Sequence, residues 1–238
     1  MKRMPARPDL GHLKKQAKEL LALHRSNDPA ATARFRDALP AAAGKTDAEI
    51  AALGLRLHDA QSCVAREYGF ASWADLQGFV LARRSQAEDP AKAVLYWLRL
   101  AYAGDIAGGN NGARPAAALR LLEESPGLLG DAPILACATG DEASLRRAIA
   151  HDPAWVNRPG GPLALPPLVA VAHSGLMRLP AFRERLLACA RLLLEAGADP
   201  NQSVGNRWPP ASVEAPAENE RLSALYGAAG QNRDVALT

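Results

Sequence analysis

The sequence predicts an all-α protein: an N-terminal helical domain followed by an α-solenoid, a row of stacked helical pairs. Three observations carry that prediction. Hydrophobic residues are 48% of the 238 but aromatics only 5%, so the core must be built from Ala and Leu. Such residues favour close-packed helices over sheets. Apolar residues recur at helical spacing along most of the chain. From residue 131 onward, short stretches of similar pattern return, which is the mark of internal repeats.

Charge and cysteine usage narrow the function. The formal net charge is +3, and residues 1–90 carry 14 Lys/Arg against 11 Asp/Glu, while residues 91–238 balance at 14 and 14. An excess so small does not by itself point to nucleic acid. Cys63, Cys137 and Cys189 are an odd, widely spaced set, each inside an apolar helical pattern. They read as reduced, buried thiols of a cytoplasmic protein, and no CxxC or His-rich spacing offers a metal site. The basic start, residues 1–8, leads into no apolar stretch, so it does not read as a secretory signal. No run of 18 apolar residues suggests a membrane span.

Taken in order, residues 9–25 place Leu10, Leu13, Ala17, Leu20, Leu21 and His24 at helical spacing, with Asp9 as N-cap and Lys14, Lys15 and Lys18 on other faces. Asp28-Pro29 starts a second helix that Pro40 stops. Residues 40–54 read as a loop leading into a helical turn. A third helix over 56–68 carries Leu57, Ala60, Val64 and Tyr68 on one stripe and ends at Gly69. Ser72 caps a fourth, with Asp75 three residues on and Trp73, Leu76, Phe79 and Val80 as its apolar set. The charged stretch 83–90 reads as a boundary, closing a domain over 1–85. Asp89-Pro90 then opens a helix through about Ala103, Gly108 to Gly112 reads as a flexible loop, and Pro115 starts another helix. Residues 86–130 thus form a helical hairpin, which can be counted as a degenerate repeat.

The repeat signal itself lies in 131–238. Ile134-Leu135-Ala136-Cys137-Ala138-Thr139-Gly140 is followed by Leu168-Val169-Ala170-Val171-Ala172-His173-Ser174-Gly175, with the two glycines 35 positions apart. Leu225-Tyr226-Gly227-Ala228-Ala229 is a third instance, 57 positions after Leu168. The surplus is expected in an enlarged connection at 176–185, including Pro180, and in a polar insertion at 202–221 that holds Pro209, Pro210 and Pro216. Paired small residues in each copy would let the first helix of one pair approach the next. Between them, Leu192-Leu193-Leu194 can face neighbours on two sides of a helix, Gly197 can close it in a left-handed conformation, and Asp199-Pro200-Asn201 has turn chemistry.

Those residues resemble the second helix and exit turn of an ankyrin repeat, and the period is close to the roughly 33 residues of ankyrin arrays. The resemblance covers about 131–238. It departs from the family at His151-Asp152-Pro153-Ala154-Trp155-Val156-Asn157, which replaces the usual exit, and at Thr238, which falls inside the expected second helix of the third repeat. The last repeat therefore reads as incomplete and the chain as truncated or dependent on a partner. Residues 13–21 and 65–76 also look like a helical region preceding ankyrin repeats in many bacterial proteins, which implies architecture and no chemistry.

The resemblance implies a non-catalytic protein that binds another protein through the repeat surface and its loops, with no cofactor, no small-molecule substrate and no membrane. No residues assemble a nucleophile, base and oxyanion site, and the Gly-rich 108–112 lacks the Lys-Ser/Thr of a phosphate loop. Candidate contact residues are large side chains in polar contexts: Arg158, Trp208, Tyr226, Gln231 and Arg233, of the types that centre many interfaces. His173 joins them as a residue of the concave surface. The alternative is a regulator whose N-terminal helices bind nucleic acid, with 64–79 as a helix-turn-helix. Against it, residues 73–80 offer base edges one acid and no Arg or Lys.

Overall fold

A computed structural model describes residues 2–109, 112–208, 216–233 and 236. Pro209 and Pro210 of the predicted insertion, Asn110 and Asn111 of the predicted loop, and Thr238 lie outside the described residues. The protein is mostly helical, at 63% helix, with one small two-stranded hairpin among the described residues. It divides into two compact units, Met1–Arg84 and Ser85–Thr238.

The first unit holds α1 (Leu10–Arg25), α2 (Pro29–Ala38), α3 (Asp47–Ala52), α4 (Leu57–Glu67) and most of α5 (Trp73–Glu88). Local chemistry sets their starts. The Asp9 carboxylate accepts from His12 N, that of Asp28 from Ala31 N ahead of Pro29, and Thr46 with Glu49 forms a reciprocal capping box. α4 packs on α1 and α2, and Leu20, Phe35, Ile50, Val64, Leu76 and Phe79 form a fully enclosed core. The Phe70 and Phe79 rings meet at 5.0 Å. Glu67 receives Arg34 at 2.6 and 2.8 Å and Lys2 at 2.7 Å. Burial pushes its carboxyl pKa up, but those two cations outweigh burial and hold it below the ordinary value. Two expectations change. Leu57 is an exposed residue rather than part of the core stripe, and α5 runs on through the charged stretch to Glu88 instead of breaking there.

The second unit begins with α6 (Pro90–Ala101), which turns at Tyr102 into the one-turn α7 (Gly104–Ala107) rather than into loop. α8 (Pro115–Glu124) packs back on α6, where the Trp97 indole donates to the Ala118 carbonyl at 3.0 Å. Two helical pairs follow, α9 (Pro133–Thr139) with α10 (Glu142–His151), and α11 (Pro167–Ala172) with α12 (Pro180–Glu195). α9 lies against α11 and α10 against α12. Gly140 links α9 to α10 at φ +68, and a Cβ there would come within 3.0 Å of the Arg185 and Leu186 backbone. Pro180 starts α12, and the enlarged connection before it is the 3-10 turn Gly175–Arg178.

The polar insertion is not loop throughout. It pairs β1 (Ser203–Asn206) with β2 (Ala217–Ser223) in antiparallel register, Val204 opposite Leu222, with an irregularity between Gly205 and Asn206. The expectation of an all-α chain fails at this hairpin. Period-2 apolar alternation was too short there to be read, since only Val204 and Leu222 turn inward strongly. β2 leads directly into α13 (Ala224–Tyr226) and a π-helical turn, Gly227–Asn232, and α13 packs on α11. The Ala228-Ala229 pair is corrected too: Gly227 and Ala228 are buried, and Ala229 is exposed.

In a linear array each unit touches only its neighbours. Here the Tyr102 hydroxyl donates to Ala170 O at 2.8 Å, and Asp105 meets Arg207 and Gln231. The corner between α6 and α7 therefore reaches several later elements.

At the exit of α12 the expected chemistry is present, with Gly197 at φ +89 and Asp199 Oδ1 accepting from Asn201 N at 2.9 Å. The three leucines do not behave alike: Leu193 is wholly buried, while Leu194 is 48% exposed. Leu193→Ala should therefore cost about 2–5 kcal/mol in equilibrium denaturation. Leu194→Ala should fall within about 0.5 kcal/mol of wild type.

Candidate functional site

A group of polar side chains in the second unit surrounds His173. All six residues of α11 are buried, and His173, the next residue, is only 1% exposed. Its Nε2 lies 2.8 Å from the Ser223 carbonyl, which can only accept, so Nε2 carries a hydrogen and donates it. Nδ1 lies 3.0 Å from Gln231 Oε1, and Gln231 Nε2 lies 2.6 Å from both carboxylate oxygens of Asp105. The Tyr226 ring stacks on the imidazole at 6.1 Å. Asn232 Nδ2 donates to Ala172 O and Ser174 O, and Arg178 donates to Gln231 O at 2.6 Å. Burial pushes the imidazole pKa below its ordinary value, opposed by the bonds to Ser223 and Gln231 and by the Asp105 charge.

Glycine makes this seat accessible. A Cβ on Gly227 would lie 2.5 Å from His173 Cδ2, so only a residue without one lets the segment lie flat on the ring. Next to the seat, Arg207 fixes the hairpin. Its main-chain N–H donates to Asp105 O at 2.7 Å, and its guanidinium donates to Ile106 O and Leu163 O at 3.0 and 2.7 Å. It is 7% exposed, and burial lowers its pKa. Asp105 thus accepts from the hairpin through its carbonyl and from the C-terminal segment through its carboxylate.

A second feature is an open groove of about 470 Å³ bordered by α8, α9, α10 and α12. Leu119, Leu122 and Phe182 contribute apolar surface, and Arg147 and Arg185 stand exposed at its edge. Arg147 is steadied by Ser144 Oγ at 2.8 Å and Arg185 by Gly140 O at 3.3 Å, with the Arg185 guanidinium 5.3 Å from the Phe182 ring centre.

The residues singled out from the sequence fall into separate places. His173, Tyr226 and Gln231 come together, with His173 buried inside the seam rather than standing on a concave surface. Arg233 follows the π turn at φ +52, exposed. Trp208 is 42% exposed, its N–H bonded to Asn206 Oδ1 at 2.8 Å. Arg158 is exposed and bonds Asp152 at 2.7 Å, away from the His173 group in its bonding. Sequence reasoning missed Asp105, Arg207, Asn232, Arg147 and Arg185. Asp105 and Arg207 had no local signal, because their partners lie 44 to 126 residues away. Arg147 and Arg185 could have been found as the outward residues of the second helices in the first two pairs after residue 131.

The three thiols are free and buried. Burial pushes Cys63 and Cys189 up to about 12 and Cys137 well above its ordinary value, so all are protonated at neutral pH. No group of three or more His, Cys, Asp or Glu among the described residues could hold a metal ion, and no helix among them is long and apolar enough to cross a membrane. In α5, Leu76, Phe79 and Val80 are fully buried. Comparison with family models, with curated proteins and with solved structures finds no match.

Gly227→Ala should lift the segment off His173, at a cost of about 1–3 kcal/mol for an overpacked contact. Amide exchange at residues 224–232 should accelerate while exchange in α9 and α12 holds. Unchanged protection at 224–232 would contradict the contact.

Proposed function

We propose that the chain is a non-catalytic protein-binding module of ankyrin type, whose partner docks in the groove beside α10 and α12. What carries the reading is the side-by-side lie of α9 with α11 and of α10 with α12, which leaves an open, partly apolar groove edged by two arginines. The left-handed Gly197 after α12, followed by the Asp199 turn, supports the ankyrin likeness. On this reading the solenoid is short, its units are α9–α10, α11–α12 and the partial α13 unit, and the contacts of Asp105 are added to the stack. Arginine beside exposed apolar surface is a usual centre of interface energy. Protonated, buried thiols fit a reducing compartment, so the cytoplasm is its proposed location.

The test compares full-length wild type with Arg147→Glu, Arg185→Glu, Arg158→Ala and Trp208→Ala in cross-linking capture from the native host, with folding checked by circular dichroism. A partner seated in the groove should be lost from both charge-reversed variants, at about 30-fold weaker binding for a hot-spot residue. Retention by Arg158→Ala and Trp208→Ala would confine the interface to the groove. Equal recovery of the same proteins by Arg147→Glu, Arg185→Glu and wild type would overturn the groove assignment.

A further inference from the structure

We infer that the C-terminal segment 224–233 is latched by a shared proton. Seated on α11, His173, Gln231 and Asp105 together hold one proton more than a neutral imidazole and an ionised carboxylate would bring.

The inference follows from counting hydrogens along one chain of contacts. Ser223 O can only accept, so His173 Nε2 must donate. If Nδ1 also carries a hydrogen, it donates to Gln231 Oε1, Gln231 Nε2 donates to the Asp105 carboxylate, and the extra proton sits on the imidazole. If Nδ1 is bare, it must accept, so the Gln231 amide turns about and presents its NH2 to the ring. Its oxygen then faces Asp105, which must donate, and the extra proton sits on the carboxyl. Heavy-atom positions leave amide N and O interchangeable, so both drawings fit the same contacts. The proton count is the same in each. Without the extra proton, two acceptors face one another somewhere in a part-buried chain, at about 2.6–3.0 Å apart.

Among the described residues, Arg233 of the segment and Arg183 and Glu195 of α12 have no bond to His173, Gln231 or Asp105. From the segment come Tyr226 and Gln231, and Arg178 holds the Gln231 carbonyl. From α9 and α12 come Cys137 and Cys189, held as neutral thiols, and Glu184, Arg185 and Arg191 of α12 are exposed. The 3-10 turn Pro153–Asn157, which also packs on α11, carries no ionisable side chain. Arg207 meets Asp105 through its main chain, at the carbonyl.

The sign follows. With the segment lifted off, the imidazole titrates by itself near pH ~6.5. Below that value both states hold one proton, and seating is insensitive to pH. Above it the lifted state holds none while the seated state still holds one, so seating takes up a proton and weakens as pH rises, by up to about tenfold per pH unit. Asp105→Asn removes the requirement: its amide donates to Gln231 Oε1, Gln231 donates to Nδ1, and a neutral ring completes the chain.

The test is amide exchange of the full chain at residues 224–233 from pH 6.5 to 8.5, with rates corrected for intrinsic base catalysis. Opening constants should rise by up to about tenfold per unit in wild type and stay flat in Asp105→Asn. A flat wild-type profile would overturn the latch, as would equal slopes in the two proteins. Should Asp105→Asn fail to fold, 15N shifts of His173 in wild type decide. A ring protonated at both nitrogens, or a protonated Asp105 carboxyl read from its 13Cγ shift, at about pH 7.5 supports the count, and a neutral ring beside an ionised carboxylate overturns it. Neither result depends on whether the groove binds a protein.

Discussion

α11 is six residues long and every one of them is buried. An isolated helix needs roughly 12–15 residues to be even marginally stable in water, so this one exists because of what surrounds it. α9 covers one side, α12 another and α13 a third. The same dependence runs outward, since α9 is only seven residues and relies on α10 and α11 in turn. Stability in this unit is therefore a property of neighbouring pairs, with the most dependent element at the centre.

Short helices also expose proportionally more unpaired carbonyls at their ends. In this unit those carbonyls are met by side chains from distant parts of the chain. The Tyr102 hydroxyl reaches Ala170 O, Asn232 reaches Ala172 O and Ser174 O, and Ser174 Oγ reaches Ala138 O at 2.6 Å. Arg207 does the same for Ile106 O at the end of α7 and for Leu163 O. Apolar packing brings the pairs together, and these bonds decide which turn of one element faces which turn of another. They also explain why Tyr102 and Asp105 touch elements that a strictly linear stack would keep from them.

The local part of this design was legible in the sequence. Caps at Asp9, Asp28 and Ser72, and the left-handed turn at Gly197, follow from side chains bonding backbone a few residues away, so the spacing alone reveals them. The helical pairs were legible for the same reason. Three things were not. The hairpin Ser203–Ser223 joins strands across a long connection and has one strongly inward residue on each, too little for a period to emerge. The continuation of α5 through residues 83–88 is carried by charged and polar residues that form helix well but show no apolar stripe. The seam at His173 depends on partners 50, 58 and 126 positions apart, which no local pattern encodes.

His173 shows what a repeat analogy omits. Its place at the end of a first helix suggested an outward-facing contact, yet the C-terminal segment lies over it. That segment has little apolar surface with which to choose its own position. Its inward residues are Ala224, Gly227 and Ala228, while Leu225 and Tyr226 are 57% and 46% exposed. Burying a few methyl groups, at about 0.8 kcal/mol for each CH2-sized group, favours contact without distinguishing one register from the next. Hydrogen bonds do distinguish them, because a shift of one residue would leave the buried His173 without its partners, at about 1–3 kcal/mol, and would break the part-buried pair of Gln231 with Asp105. The polar chain therefore supplies the selectivity that the small residues cannot, and glycine at 227 admits the close approach on which that chain depends.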